Sequence, residues 1–98
     1  MLDAGRATLI DVRTSAEHHE ARVEGSRLIG VEQLTIRHGE LPREGDLLFI
    51  CRTGVRSALA CEYASALGHD AARLHNVEGG IVEWIASDTG GVARSSAK

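Results

Sequence analysis

The sequence has few aromatic residues: one Phe, one Trp and one Tyr, or 3% of 98 residues. A surface that stacks nucleic-acid bases needs several aromatic side chains, and a surface that follows phosphates needs an excess of basic ones. The chain instead has 11 Lys and Arg against 14 Asp and Glu, for a net charge of -3. Both shortages argue against a nucleic-acid partner.

Long hydrophobic runs are also absent. No apolar stretch approaches the roughly 20 residues that a membrane-spanning helix needs. The opening "MLDAGRATLIDVR" lacks the basic start and apolar core of a secretory signal. Only two cysteines are present, Cys51 and Cys61. Without an export signal they are expected to be free thiols, which predicts a cytoplasmic protein with no membrane segment in this chain.

Strand and helix patterns alternate along the chain. Short apolar runs predict strands at residues 7–13, 27–31, 47–50 and 72–77, and helical spacing predicts helices at 15–21, 31–39, 57–67 and after 79. This alternation predicts an α/β fold with a mostly parallel sheet and helices on both of its faces. We expect one domain at residues 1–86 and a flexible tail at 87–98, where small and polar residues dominate.

The stretch "LLFICRTGVRS" places Cys51 directly after a predicted strand and directly before a predicted helix. Sites in parallel sheets lie at the carboxyl ends of strands. The amides of a helix N-terminus, with the cations Arg52 and Arg56, would lower the pKa of the thiol and make it a nucleophile. Gly54 allows a tight turn in which successive N–H groups converge. The alternative is a buried cysteine beside two solvated arginines.

Four motifs stand in an order that resembles the rhodanese-type sulfurtransferase domain. They are "LIDVR" at residues 9–13 with Glu17, "CRTGVRS" at 51–57, "LG" at 67–68 and "VEGGIVEW" at 77–84. The resemblance covers about residues 7–86. Two departures stand out: Arg22 occupies the place of a histidine common in the family, and the first strand of the family is expected to be missing.

The resemblance implies a reaction. Cys51 would take the outer sulfur of thiosulfate or a similar donor, become a persulfide, and pass the sulfur to cyanide or a thiol. The implied substrate-binding residues are those of the loop, namely Arg52, Thr53, Gly54, Val55, Arg56 and Ser57. No metal or organic cofactor is implied. The partners would be a small anionic sulfur donor and a thiol or cyanide acceptor, with a protein acceptor also open.

Two alternatives remain. Cysteine phosphatases and arsenate reductases of similar architecture place five residues between cysteine and arginine, whereas four separate Cys51 from Arg56. The smaller ring of amides fits a sulfur atom better than a phosphate. A persulfide carrier, or a sensing or interaction module for a specific partner, is the other alternative, although inactive modules typically lose the cysteine.

Other candidate residues have ordinary structural explanations. Asp11 and Arg13, at the end of the first strand, are expected to support neighbouring loops. Glu17 fits a capping box with Thr14. Cys61 is expected to pack as a small hydrophobic residue. The five histidines show no spacing typical of metal ligands.

Overall fold

A computed structural model describes residues 7–42, 44–86 and 92–94. Its main sheet has four parallel strands in the order β3-β1-β4-β5. The strands are β1 (Ala7–Asp11), β3 (Arg27–Leu28), β4 (Asp46–Ile50) and β5 (Leu74–Asn76). Because β1 and β4 are central, their carboxyl ends meet at the middle of one sheet edge, where a site is expected.

The two central strands are apolar on both faces because helices cover both. Ile10 of β1 and its register partner Phe49 of β4 face the helices α2 (Leu34–Arg37) and α3 (Val55–Ala66). Leu9 and Ile50 face the other side, where they pack with Ile81 of α4 (Gly80–Ala86). Strands buried on both sides read as continuous hydrophobic runs, which explains "LLFI". The predicted parallel sheet with helices on both faces is confirmed.

The helices follow their sequence signals closely, with two adjustments. Helix α1 (Ser15–Glu20) begins with the predicted capping box of Thr14 and Glu17. The helix predicted over 31–39 is α2 with a single turn of 3-10 helix at either end. Helix α3 begins two residues earlier than predicted because Gly54, with φ of 104°, occupies its N-cap. Ser57 therefore lies in the first turn of α3.

A second, two-stranded antiparallel sheet pairs β2 (Ala21–Val23) with β6 (Val92–Arg94). Neither strand was predicted, because the pairing joins segments about 70 residues apart and neither segment is a continuous apolar run. Strand β6 lies inside the segment 87–98 that we expected to be a flexible tail. The domain boundary at residue 86 stays a prediction. The rest of the tail and residues 1–6, on which the missing first strand depends, lie outside the described residues.

Arg22, which the resemblance led us to compare with a family histidine, lies on β2 beside the C-terminal end of helix α1. Its guanidinium donates to the carbonyl oxygens of His18 and His19 at 3.4 and 3.2 Å. These carbonyls belong to the last turn of α1, where a cation is favourable.

Over the described ranges, each helix is too short or too polar to cross a membrane.

Candidate active site

Cys51 leaves the end of β4 and opens the loop that leads into α3. Its neighbours come from both adjacent strands, because β1 and β5 end beside it. The residue is 1% exposed and belongs to the core cluster on the α3 side of the sheet. Its side chain is therefore almost completely buried.

Hydrogen-bond donors of the loop surround the Cys51 sulfur. The Gly54 N–H donates to Sγ over 3.0 Å, and the Ser57 hydroxyl lies 3.4 Å from it. Burial raises the pKa of the Cys51 thiol, but hydrogen bonds from the Ser57 side chain and from the amides of Ser57, Gly54 and Thr53 outweigh burial. The net pKa therefore lies below the ordinary value of 9.0. The loop therefore places hydrogen-bond donors around the sulfur at its base, an arrangement that favours the thiolate.

Arg56 is paired with Glu17, a contact that we did not predict from the sequence. Its guanidinium forms a bidentate ion pair with Glu17, with N–O distances of 2.8 and 3.0 Å. The hydrogen bond from Arg56 lowers the pKa of Glu17 to about 2, and Glu17 in turn raises the pKa of Arg56. The largest contributions that lower the pKa of the Cys51 thiol come from the Ser57 hydroxyl and the loop amides. The Cys51 thiolate also raises the pKa of Arg56, so the charge of Arg56 favours the thiolate as well. Glu17 both caps α1 and binds Arg56.

The rim of the loop is formed by side chains that point to solvent. Arg52 and Thr53 are exposed, and Val55 is 75% exposed. Within the described ranges, Arg52 makes no side-chain hydrogen bond or ion pair. Its charge is thus available to an incoming anion, whereas the charge of Arg56 is offset by Glu17.

Asp11 and Arg13 form a buried pair beneath the loops. The Arg13 Nε donates to Asp11 Oδ1 at 2.9 Å and its Nη2 to Asp11 Oδ2 at 2.7 Å. The same Nη2 donates to the Ala21 carbonyl, which ties β1 to β2. Both side chains are at most 5% exposed and contact each other rather than Cys51. The arrangement fits the supporting role that we expected for them.

The Gly79–Gly80 turn packs directly against the cysteine loop. The Ile81 N–H donates to the Cys51 carbonyl at 2.8 Å, and the Val82 N–H donates to the Arg52 carbonyl at 3.2 Å. A Cβ on Gly80 would lie 2.3 Å from the Cys51 oxygen. Glycine at this position therefore allows the backbone of the first turn of α4 to contact the backbone of the cysteine loop.

Asn76 is the residue of the site that sequence reasoning missed. It ends β5, and its side-chain Nδ2 donates to the Gly54 carbonyl at 3.2 Å. Its Oδ1 accepts a hydrogen bond from the Ser57 hydroxyl. A polar residue at the carboxyl end of the strand beside β4 was the available signal, since such positions adjoin the site.

Metal ligation has no support in the part of the chain that the structure describes: no group of three or more His, Cys, Asp or Glu side chains is suitably placed.

Cys61 is a free, half-buried thiol packed against the core on the side of α3. Burial raises the pKa of Cys61, the opposite of the direction at Cys51. The pKa values of the two cysteines are therefore shifted in opposite directions.

Comparison with known proteins identifies the family. The sequence model of one protein family, the rhodanese-like domain, matches residues 1–87 of this chain. The chain belongs to the rhodanese-like domain family. A protein named sulfurtransferase from Allochromatium vinosum is 32% identical, over 86% of this chain and 77% of its own length. The human thiosulfate:glutathione sulfurtransferase is 30% identical, over 91% and 88% of the two chains.

Solved structures show the same rhodanese-like fold. The rhodanese-related protein from Thermoplasma volcanium is 34% identical and superposes with a TM-score of 0.76. That match covers 85% of this chain and 80% of the other. These similarities establish a rhodanese-like fold and place the chain in a family of sulfurtransferases.

Proposed function

We propose that this rhodanese-like domain transfers a sulfane sulfur through a persulfide on Cys51. The observation that carries the proposal is the convergence of the Gly54 N–H and the Ser57 hydroxyl on the Cys51 sulfur. These donors favour the thiolate, which is the nucleophilic form of cysteine. The sulfurtransferase names of the relatives support the same reaction class.

The reaction has two half-reactions that need no external oxidant or reductant. The Cys51 thiolate attacks the outer sulfur of thiosulfate, a new S–S bond forms, and sulfite leaves with the electron pair of the old bond. A nucleophilic acceptor, such as cyanide or a thiol, then attacks the outer sulfur of the persulfide. Cys51 departs as a thiolate and is ready for another donor.

The proposed donor is a small anion that meets the exposed Arg52 and the amides of the loop. Thr53, Val55 and Arg56 complete the proposed binding loop, with Arg56 mainly holding its shape through Glu17. The human relative's name supports thiosulfate and a low-molecular-weight thiol as the donor and acceptor classes. A reducing compartment, the cytoplasm, is the proposed location because the reaction begins from a free thiol.

Intact-mass spectrometry tests this proposal directly. After incubation with thiosulfate and removal of excess reagent, the protein is expected to gain the mass of one sulfur atom, and a thiol reductant should remove it. Cys51→Ser should abolish the gain and the thiosulfate:cyanide turnover. Cys61→Ser should retain both. If Cys61→Ser loses the added sulfur and Cys51→Ser keeps it, the nucleophile is assigned wrongly.

The burial of Cys51 favours a second candidate, a persulfide carrier that delivers sulfur to one partner. At 1% exposure, a persulfide here would be shielded from solvent nucleophiles. A carrier would show a long-lived persulfide with slow cyanide turnover, whereas a generalist enzyme would turn over rapidly. The persulfide lifetime, measured by mass spectrometry with and without cyanide, separates the two.

A further inference from the structure

Asn76 bridges the two residues that donate to the Cys51 sulfur. Its Nδ2 donates to the carbonyl of Gly54, and its Oδ1 accepts from the hydroxyl of Ser57. The orientation of the amide follows from chemistry: a carbonyl oxygen can only accept, so the amide nitrogen must face Gly54. The amide oxygen is therefore turned toward Ser57.

The Ser57 hydroxyl has one proton and two acceptors within reach. One acceptor is the Asn76 amide oxygen, and the other is the Cys51 sulfur at 3.4 Å. A single proton cannot serve both at full strength. When Cys51 is a thiol, Ser57 can donate to Asn76 and accept from the S–H. When Cys51 is a thiolate, the proton is needed at the sulfur, and Asn76 competes for it.

We propose that Asn76 is a positioning residue that controls the Ser57 hydroxyl and thereby limits how strongly this hydroxyl stabilises the Cys51 thiolate. The proposal deepens the site of the proposed function. In the persulfide, the negative charge moves to the outer sulfur. The Cys51 sulfur then no longer needs the proton of the Ser57 hydroxyl. The amide oxygen of Asn76 accepts this hydrogen bond in the persulfide state. An acceptor in both states avoids the cost of an unsatisfied buried hydroxyl.

A double-mutant cycle between Ser57 and Asn76 tests this competition. The Cys51 pKa is titrated through the ultraviolet absorbance of the thiolate, in a Cys61→Ser background so that one thiol reports. Ser57→Ala should raise the pKa in both backgrounds, since the hydroxyl is lost. With Asn76→Leu the rise should be roughly twice that seen with Asn76 present, because the hydroxyl then serves the sulfur alone.

The variant Asn76→Leu is suitable because the Gly54 carbonyl keeps another donor, the Ala58 N–H at 3.2 Å. Asn76→Ala provides the same cycle if the leucine variant fails to fold. The matched control is His75→Ala. The His75 side chain lies on the same strand as Asn76, but it contacts Asp46 and not the loop. It should leave the effect of Ser57→Ala unchanged.

An effect of Ser57→Ala that is equal or smaller without Asn76 would overturn the proposal. An equal effect means that the two residues are independent, and a smaller one means that Asn76 only supports Ser57. This readout needs no sulfur transfer. The positioning role can therefore fail while Cys51 still forms a persulfide, and it can hold even if no persulfide forms.

Discussion

Glu17 in the first turn of α1 and Arg56 in the first turn of α3 form a bidentate ion pair between residues 39 positions apart. The pair joins α1, which follows β1, to α3, which follows β4. It therefore links the two helices at the carboxyl ends of the central strands. It also decides which arginine remains free at the rim, because Glu17 occupies both outer nitrogens of Arg56.

Removing the charge of Glu17 should destabilise the domain in a pH-dependent way. Glu17→Gln keeps the capping box, since Gln serves at that position, and loses only the ion pair. The folded pKa of Glu17 is about 2 against an ordinary 4.5, so the carboxylate's contribution is full above pH 4.5 and is lost as pH falls toward 2. Both side chains are about one-third exposed, and solvent screening limits the loss to about 1–2 kcal/mol at neutral pH.

Urea unfolding at neutral pH and near the folded pKa of Glu17 measures this difference. The control is Glu24→Gln, because Glu24 is exposed in the turn after β2. Its replacement should change the free energy of unfolding little at either pH. An equal loss for Glu17→Gln at both pH values would show that the ion pair is not the cause.

The charge of Arg52 should contribute more to the binding of the anionic donor than the charge of Arg56, because Glu17 offsets the charge of Arg56. Arg52→Ala is expected to raise the KM for thiosulfate about three- to tenfold with little change in kcat, since an exposed charge contact is worth about 1 kcal/mol. High salt should shrink the difference from the unmodified protein. Arg27→Ala removes the same charge from an exposed position on β3 and should leave KM unchanged. A salt-independent KM for the unmodified protein would contradict this electrostatic role.

Gly80 should tolerate no side chain, because its turn lies against the cysteine loop. In Gly80→Ala the new Cβ would meet the Cys51 oxygen at 2.3 Å and the Arg52 backbone at 2.5 Å. Gly25→Ala is the matched control: its φ of 84° is also positive, but nothing lies within 4 Å. Both variants carry about 1–3 kcal/mol of backbone strain.

The clash is specific to Gly80→Ala, which should add about 1–3 kcal/mol to the loss of stability and displace the loop. Thermal unfolding and sulfurtransferase turnover measure the two effects. We expect both to fall further in Gly80→Ala than in Gly25→Ala. Equal losses in the two variants would mean that the close approach of the turn has no energetic consequence.

The size of the loop should decide between sulfur and phosphate chemistry. With four residues between Cys51 and Arg56, the unmodified protein should hydrolyse aryl phosphates poorly or not at all. Inserting one glycine between Gly54 and Val55 should weaken sulfur transfer, because the Gly54 N–H then moves relative to the sulfur. Inserting the glycine after Gly68, in the turn that follows α3, is the control. Efficient phosphatase turnover by the unmodified protein would refute the sulfurtransferase proposal.

The sequence by itself determined the order of the elements and the place of the nucleophile. Continuous apolar runs identified β1 and β4, and the strand–cysteine–glycine–helix order placed Cys51 at the carboxyl edge of the sheet. The capping box of Thr14 and Glu17 marked the start of α1. These features are local, because hydrophobic periodicity and caps depend on residues a few positions apart.

The tertiary structure alone decided which side chains meet at the site. The Glu17–Arg56 pair and the contacts of Asn76 with the loop join residues that are distant along the chain. The pairing of β2 with β6 is equally non-local. Such contacts depend on how strands and helices pack, and no local pattern encodes that packing. The sequence therefore predicted that Cys51 follows β4, but only the fold shows that the Ser57 hydroxyl and backbone amides donate the hydrogen bonds that lower its pKa, and that Arg56 is paired with Glu17.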